Sequence, residues 1–291
     1  MRRRLLLILL AACCGACAKK TDNAKPVATP TVSIAQPAAA IESPVDVTYK
    51  FVVAPDAPTF DKDYSVFVHF NDPGGEQLWT DDHQPVKPTS QWKPGETIEY
   101  TRTMFVPKVA YTGATMMDVG LYVPGTNDRL PLAGTATGQR AYRVGQLEVR
   151  PQVGDTVVFY KSGWFNTEIV PDSPGTEWRW SKNEATFEFR NPRRDVTFMI
   201  DLDQPERSLT GMQQVELRDA AGQVLDAFTL APGQRDVRRV MIPAAQLGTG
   251  DSTVLTLVVD RTFTPAYLPG AKSGDVRTLG VRVFHAYVQP K

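Results

Sequence analysis

The sequence predicts an all-β body of two antiparallel β-sandwich domains, residues 45–150 and 151–291, set behind an N-terminal signal segment and a flexible tether. Three observations carry this reading. Apolar and polar residues alternate with a period of two in run after run. The runs recur about every 10–15 residues with Pro, Gly, Asn and Asp between them, and no stretch holds a helical apolar period. A chain of 291 residues is comfortable for two domains, each with its own core.

The chain opens with Arg2, Arg3 and Arg4 ahead of an apolar run from Leu5 to Ala12, the charged and hydrophobic parts of an export signal. The run is well short of the roughly 20 residues a membrane-spanning helix needs. The four residues Leu10-Ala11-Ala12-Cys13 resemble the lipobox of bacterial lipoproteins, which implies cleavage after residue 12 and lipid attachment at Cys13. Cys17, also preceded by small residues, is the alternative. All three cysteines lie in this segment, so the body can use neither disulfides nor thiolate metal sites. Loss of the signal removes three arginines from 32 basic side chains and none from 32 acidic ones. The resulting near balance gives no electrostatic reason to expect nucleic acid. From residue 13 to residue 44 the composition is mainly Lys, Thr, Ala, Pro, Ser and Gln, read as a tether that cannot bury enough to fold.

In the first domain Val45, Val47, Tyr49, Phe51 and Val53 share one face of a strand. Tyr64 to Phe70 and Gln77 to Trp79 form a hairpin around Asp72-Pro73-Gly74-Gly75. Further strands are expected at Thr97 to Phe105, Thr115 to Tyr122 and Ala141 to Val149. In the second domain, Thr156 to Tyr160 precedes an aromatic, loop-rich stretch from Gly163 to Trp180. Strands then follow at Ala185 to Phe189, Val196 to Leu202, Val215 to Leu217, Val224 to Leu230, Val237 to Ile242, Val254 to Val259 and Leu279 to Val288. Pro243 to Gly248 suits one helical turn closed by glycine.

Val66-Phe67-Val68-His69-Phe70, Trp79, Asp81-Asp82-His83, Pro88 to Trp92, Pro94-Gly95-Glu96 and Val119 to Tyr122 resemble Ig-like modules at the ends of some bacterial membrane glycosyltransferases and envelope proteins. Gly163-Trp164, Trp178-Arg179-Trp180, Ile242-Pro243 with Leu247-Gly248, and Leu279-Gly280-Val281 resemble a galactose-binding-like jelly roll. The resemblances imply fold and an extracytoplasmic cell-envelope location, periplasmic or on the outer surface, and supply no catalytic residue.

Three histidines, and no hydrolase elbow, zinc helix or phosphate loop, leave no supported catalytic constellation, so the expectation is a protein that is not an enzyme. A cleft bringing Asp81, Asp82, His83 or Glu168 opposite another carboxylate would be the sign of a hydrolase. His69, Asp72, Asp81, Asp82 and His83 cluster around one hairpin and are candidate metal ligands, weighed against turn formation and loop hydrogen bonding. Asp201 and Asp203 are candidates for a structural calcium ion, weighed against a solvated strand end. Arg193-Arg194, Arg235 and Arg238-Arg239 read as a solvated face. The glycan-binding candidates are Trp164, Trp178, Trp180, Trp79 and Trp92, because flat indoles suit the apolar faces of sugars, with core or inter-domain packing as the competing reading. The expected partners are membrane lipid, through the N-terminal cysteine, and a glycan or an envelope protein.

Overall fold

The structure, a computed structural model, describes residues 24–170 and 176–291; the signal segment, Cys13 and Cys17 lie outside the described residues. The first unit holds β1 (Ala28–Ile34), β2 (Ala38–Ala40), β3 (Pro44–Val53), β4 (Ser65–Asn71), β5 (Gln77–Thr80), β6 (Thr97–Phe105), β7 (Gly113–Tyr122), β8 (Arg129–Leu130), β9 (Thr135–Gly138) and β10 (Ala141–Arg150). They form a sheet in the order β1-β3-β6 facing a larger one in the order β2-β10-β7-β4-β5, to which β8 and β9 attach. Val45, Val47, Tyr49, Phe51 and Val53 are each at most 1 % exposed and meet Val66, Val68, Phe70, Met117 and Leu121 of the facing sheet. Burial of this kind stabilises by about 1.5–3 kcal/mol per large side chain.

The second unit holds β11 (Val158–Tyr160), β12 (Glu168–Ile169), β13 (Glu177–Trp180), β14 (Glu184–Arg190), β15 (Val196–Asp203), β16 (Gln213–Arg218), β17 (Val224–Leu230), β18 (Arg235–Ile242), β19 (Ser252–Val259) and β20 (Arg282–Pro290). Two five-stranded sheets, β11-β14-β19-β16-β17 and β12-β13-β20-β15-β18, enclose a core of Phe187, Phe189, Phe198, Ile200, Leu202, Val215, Leu217, Leu255 and Leu257. The chain is all-β, with antiparallel ladders everywhere among the described strands except the parallel β2–β10 contact. Pro243 to Gly248 does form a short helical turn, Ala244–Gln246, with Gly248 at φ 75 where a left-handed residue is needed.

One expectation is overturned. Much of the stretch read as tether is folded: β1 pairs with β3 over seven residues, Ala28 opposite Val53 through Ile34 opposite Val47, and β2 lies parallel to β10. Val27, Ala28 and Ala39 are buried. The alternation in β1 is real, with Ala28, Pro30, Val32 and Ile34 inward and Thr29, Thr31 and Ser33 outward, but its first two inward residues are small. Pro30 is tolerated because β1 is an edge strand.

Candidate functional site

The site grows from how the two units meet. In β15 the even-numbered Phe198, Ile200 and Leu202 enter the core, so Met199, Asp201 and Asp203 project from the opposite face. All are nevertheless buried, because that face is covered. Register places Asp201 between Val237 and His285, and Asp203 between Arg235 and Arg282. The end of the first unit formed by the start of β3 and the finish of β6 packs here. Phe105 stacks on His285 with ring centroids 4.5 Å apart and planes 8° apart. Arg239 bonds both Asp46 and, at 2.8 Å, Thr103. Lys108 bridges Glu42 at 3.1 Å and Glu177 at 2.7 Å.

Two cavities flank this seam. One, of 570 Å³, runs between the β5 exit and β6 on one side and β15, β18 and β20 on the other; Trp79, Asp81, Arg102, Asp201, Arg235 and Phe284 are among its walls. The other, of 500 Å³, is lined by Tyr160, Trp178, Arg179 and Phe284 together with Glu42 and Lys108. Glu177, Phe284 and His285 belong to both.

The larger cavity is polar and electrostatically organised. Arg102 lies in phase with buried Ile98, Tyr100 and Met104, so it points between the sheets of the first unit and meets Asp81 at 3.2 Å. Tyr49 donates its hydroxyl hydrogen to Asp81 at 3.4 Å. Burial raises the Asp81 pKa, opposed by Arg102. Across the cavity Asp201 accepts two bonds from Arg235, at 2.8 and 2.6 Å, and the guanidinium lies 3.8 Å from the Phe284 ring centre. Asp203 is held the same way by Arg282. His83 has its Nδ1 2.9 Å from the Asp81 carbonyl, which can only accept, so Nδ1 carries the hydrogen and Nε2 accepts from the Tyr100 hydroxyl at 2.9 Å. Burial, reinforced by Arg102, lowers the His83 pKa to about 3, and burial lowers that of His285 to about 4. Both rings are therefore neutral near pH 7.

The five tryptophans separate by their indole N–H groups. Trp92 donates to the Lys87 carbonyl at 2.9 Å, Trp164 to the Thr186 carbonyl at 2.8 Å, and Trp180 to Glu168 at 3.3 Å. Trp79 and Trp178 have buried Nε1 atoms with no partner among the described residues, and these two line the cavities at the seam. Trp79, stacked on Phe70, and Trp92 and Trp180 are buried, and Trp164 is half-buried against Tyr160 and Phe187, so these four do not form an open sugar platform. Trp178 and Trp180 do share a strand face, but Arg282 covers it, 5.1 and 5.7 Å from their ring centres. Arg102 Nε is a third buried donor without an acceptor.

The hydrogen bonds separate the readings weighed for the other candidate residues. No group of three or more metal-binding side chains gathers among the described residues. Asp72 closes its turn by accepting from the Glu76 amide at 2.8 Å. Asp82 accepts from the Val68 amide and the Tyr122 hydroxyl, each at 3.0 Å, and the His69 ring packs tilted against Phe67. With Asp81 and His83 engaged as above, His69, Asp81, Asp82 and His83 do not converge on an ion. Asp201 and Asp203 are neither calcium ligands nor a solvated strand end, since each is satisfied by an arginine. The basic clusters are likewise structural in part: Arg235 pairs with Asp201, Arg238 with Asp226, and Arg239 joins the units. Arg102, Arg235 and Arg282 were missed as site residues. Arg102 carried a signal, an arginine in phase with buried neighbours.

No family model matches the chain, and no curated protein does. Among solved structures, it is similar to the N-terminal tandem CBM22-1–CBM22-2 domain of Paenibacillus barcinonensis Xyn10C, at 14% identity and a TM-score of 0.29 over 86% of this chain and 79% of that one. TmCBM61 in complex with β-1,4-galactotriose matches at 10% identity and a TM-score of 0.25, over 47% and 88%. Trypsin-activated α-2-macroglobulin from Escherichia coli matches at 14% identity and a TM-score of 0.25, over 89% and 16%. At such TM-scores none of these superpositions assigns a ligand or an activity to this chain.

Proposed function

We propose that the chain is a lipid-anchored, extracytoplasmic and non-catalytic binding protein that takes a glycan in the cleft between its two sandwiches. The observation that carries this is the sorting of the indoles. Trp79 and Trp178, whose buried Nε1 atoms have no partner among the described residues at a cost of about 1–3 kcal/mol each, both line the cleft, and a bound hydroxyl or ring oxygen would accept from them once the side chains around each N–H shift. Arg235 lies over Phe284 and Arg282 over Trp178, so the cleft offers a sugar chiefly polar groups, its carboxylates supplying acceptors for hydroxyl hydrogens. The non-catalytic reading is supported by the pairing of Asp81 and Asp201 with arginines and by the neutral, hydrogen-bonded His83.

Anchoring is supported by the lipobox-like Leu10-Ala11-Ala12-Cys13 and by the path of the chain. Ala28 lies opposite Val53, at the end of β3 remote from the second unit. The roughly ten residues from Cys13 to Ala24 reach no more than about 40 Å. The first unit would then stand next to the lipid, with the cleft a further ~30 Å out along the ten-residue β3.

The test is a glycan array probed with the detergent-solubilised full chain and with Trp178→Ala. Retention of a glycan by the parent and its loss in the folded variant is the expected result; no retention by the parent refutes glycan binding and leaves a structural role toward an envelope protein. A second reading has one observation in its favour, the presence of Asp81 and Asp82 in one cleft with Asp201 and Asp236. A glycoside hydrolase would release reducing sugar from a retained glycan, and Asp81→Asn would abolish the release.

A further inference from the structure

Resting on that reading of the cleft, we infer that the glycan is an acidic one, and that its carboxylate or sulfate group is held in the smaller cavity by Arg179 and Tyr160. The two residues sit where the sheets of the second unit part. Tyr160, on the edge strand β11, lies opposite Phe187, and Arg179, on β13, lies opposite Val283. Phe187 and Val283 are core residues, so Tyr160 and Arg179 also point between the sheets, and the Arg179 guanidinium rests 5.0 Å from the Tyr160 ring centre.

Arg179 lacks a counter-charge. Of the half-buried arginines among the described residues, it alone has neither a carboxylate nor a carbonyl partner. Arg102, placed in the same way in the first unit, has Asp81. A guanidinium drawn partly out of water without an opposite charge is unfavourable, and its planar fork suits a pair of anionic oxygens. The Arg179 nitrogens and the Tyr160 hydroxyl have no hydrogen bond among the described residues, yet unlike the Trp79 and Trp178 nitrogens they are not sealed from the surface, so an incoming anion reaches them. Burial raises the Tyr160 pKa, opposed by Arg179, so the hydroxyl keeps its hydrogen near pH 7 and donates it.

The surrounding charge favours the same cavity. Glu42 and Glu177 line it, and both are held by Lys108. Lys161, a further wall, pairs at 3.5 Å with Glu188, which lies outside the cavity. Lys108, Lys161 and Arg179 thus outnumber the carboxylates there, whereas in the larger cavity Asp81, Asp82, Glu177, Asp201 and Asp236 outnumber Arg102 and Arg235. An anionic group is drawn to the smaller cavity and repelled from the larger. At 500 Å³ the smaller one has room for a sugar ring as well as its acidic substituent.

The experiment compares uronic-acid, sulfated and neutral oligosaccharides of equal length, with carboxyl-reduced uronic acids among the neutral ones, for binding to the detergent-solubilised full chain and to Arg179→Gln. One acidic class or both should bind the unaltered chain about tenfold or more tightly than the neutral oligosaccharides, the effect of one hydrogen bond to a charged group, and the class preferred identifies the anion. Arg179→Gln should bring that class down to the affinity of the neutral oligosaccharides. Equal affinity for acidic and neutral oligosaccharides, or an acidic preference that survives Arg179→Gln, overturns this inference while leaving glycan binding intact. No retention of any glycan overturns the glycan-binding reading itself, and this inference with it. The comparison of acidic with neutral oligosaccharides uses the unaltered chain and stands even if the variant fails to fold.

Discussion

Removal of residues before Val45 would strip β1 and β2 from a folded sandwich, not trim a tether. Val27, Ala28, Pro30, Ala39 and Ser43 lose their burial, and Val32, Ile34 and Ile41 lose their packing against the core. At about 25 cal/mol per Å² of apolar surface, Val27, Ala28, Pro30 and Ala39 alone contribute on the order of 4–5 kcal/mol. The seven-residue ladder to β3 goes as well, and β3 becomes an exposed edge. A domain has only about 5–15 kcal/mol of net stability, so the loss is a large share of it. The assay is urea unfolding of residues 24–291 beside residues 45–291, followed by far-ultraviolet circular dichroism. The truncated chain should show a first-unit transition at much lower urea, or none, with the second-unit transition unchanged. Superimposable curves would refute the assignment of β1 and β2 to the fold.

Three further outcomes follow from particular contacts. Arg282→Met leaves the Asp203 carboxylate, 10 % exposed, without its charge partner and uncovers Trp178 and Phe284, so the second unit should lose on the order of 3 kcal/mol in chemical denaturation. His83 is held neutral in the folded chain, with a pKa of about 3 against an ordinary 6.5. The unfolded chain binds a proton that the folded chain cannot, so His83's contribution is intact above pH 6.5 and falls as pH drops from there toward 3; His83→Gln should flatten that part of a stability-against-pH curve. Gly163→Ala would press its methyl into the Glu184 carbonyl and against Ala185 Cα, at a backbone φ of +78, and should cost roughly 3 kcal/mol or more in thermal unfolding.

The strands were legible because large residues alternate. Thr97 to Phe105 and Val224 to Leu230 match β6 and β17 at both ends, and Val45 to Val53 fall on the buried face of β3 as their period requires. β1 was hidden because its inward residues begin Ala, Pro and its outward ones are Thr and Ser, the same composition as a solvated linker. The cleft was far less legible. Asp81 and Asp201 stand 120 positions apart, and nothing local indicates that they line one cavity. Asp201 and Asp203 have the spacing of surface carboxylates and are buried only because arginines from β18 and β20, together with the first unit, cover that face of the sheet. For the tryptophans, sequence supplies the residue type but not the fate of the N–H; whether a main-chain carbonyl waits for it, as for Trp92 and Trp164, is decided by tertiary placement.

A glycan bound at the seam would rest beside Trp79 and Trp178, and their indole N–H signals report on it directly. Titration of an isotopically labelled chain with oligosaccharides, followed by two-dimensional nuclear magnetic resonance, should move the Trp79 and Trp178 indole resonances and leave those of Trp92, Trp164 and Trp180 in place. Binding that shifts Trp164 or Trp180 while Trp79 and Trp178 stay fixed would contradict the account and move the site away from the cleft.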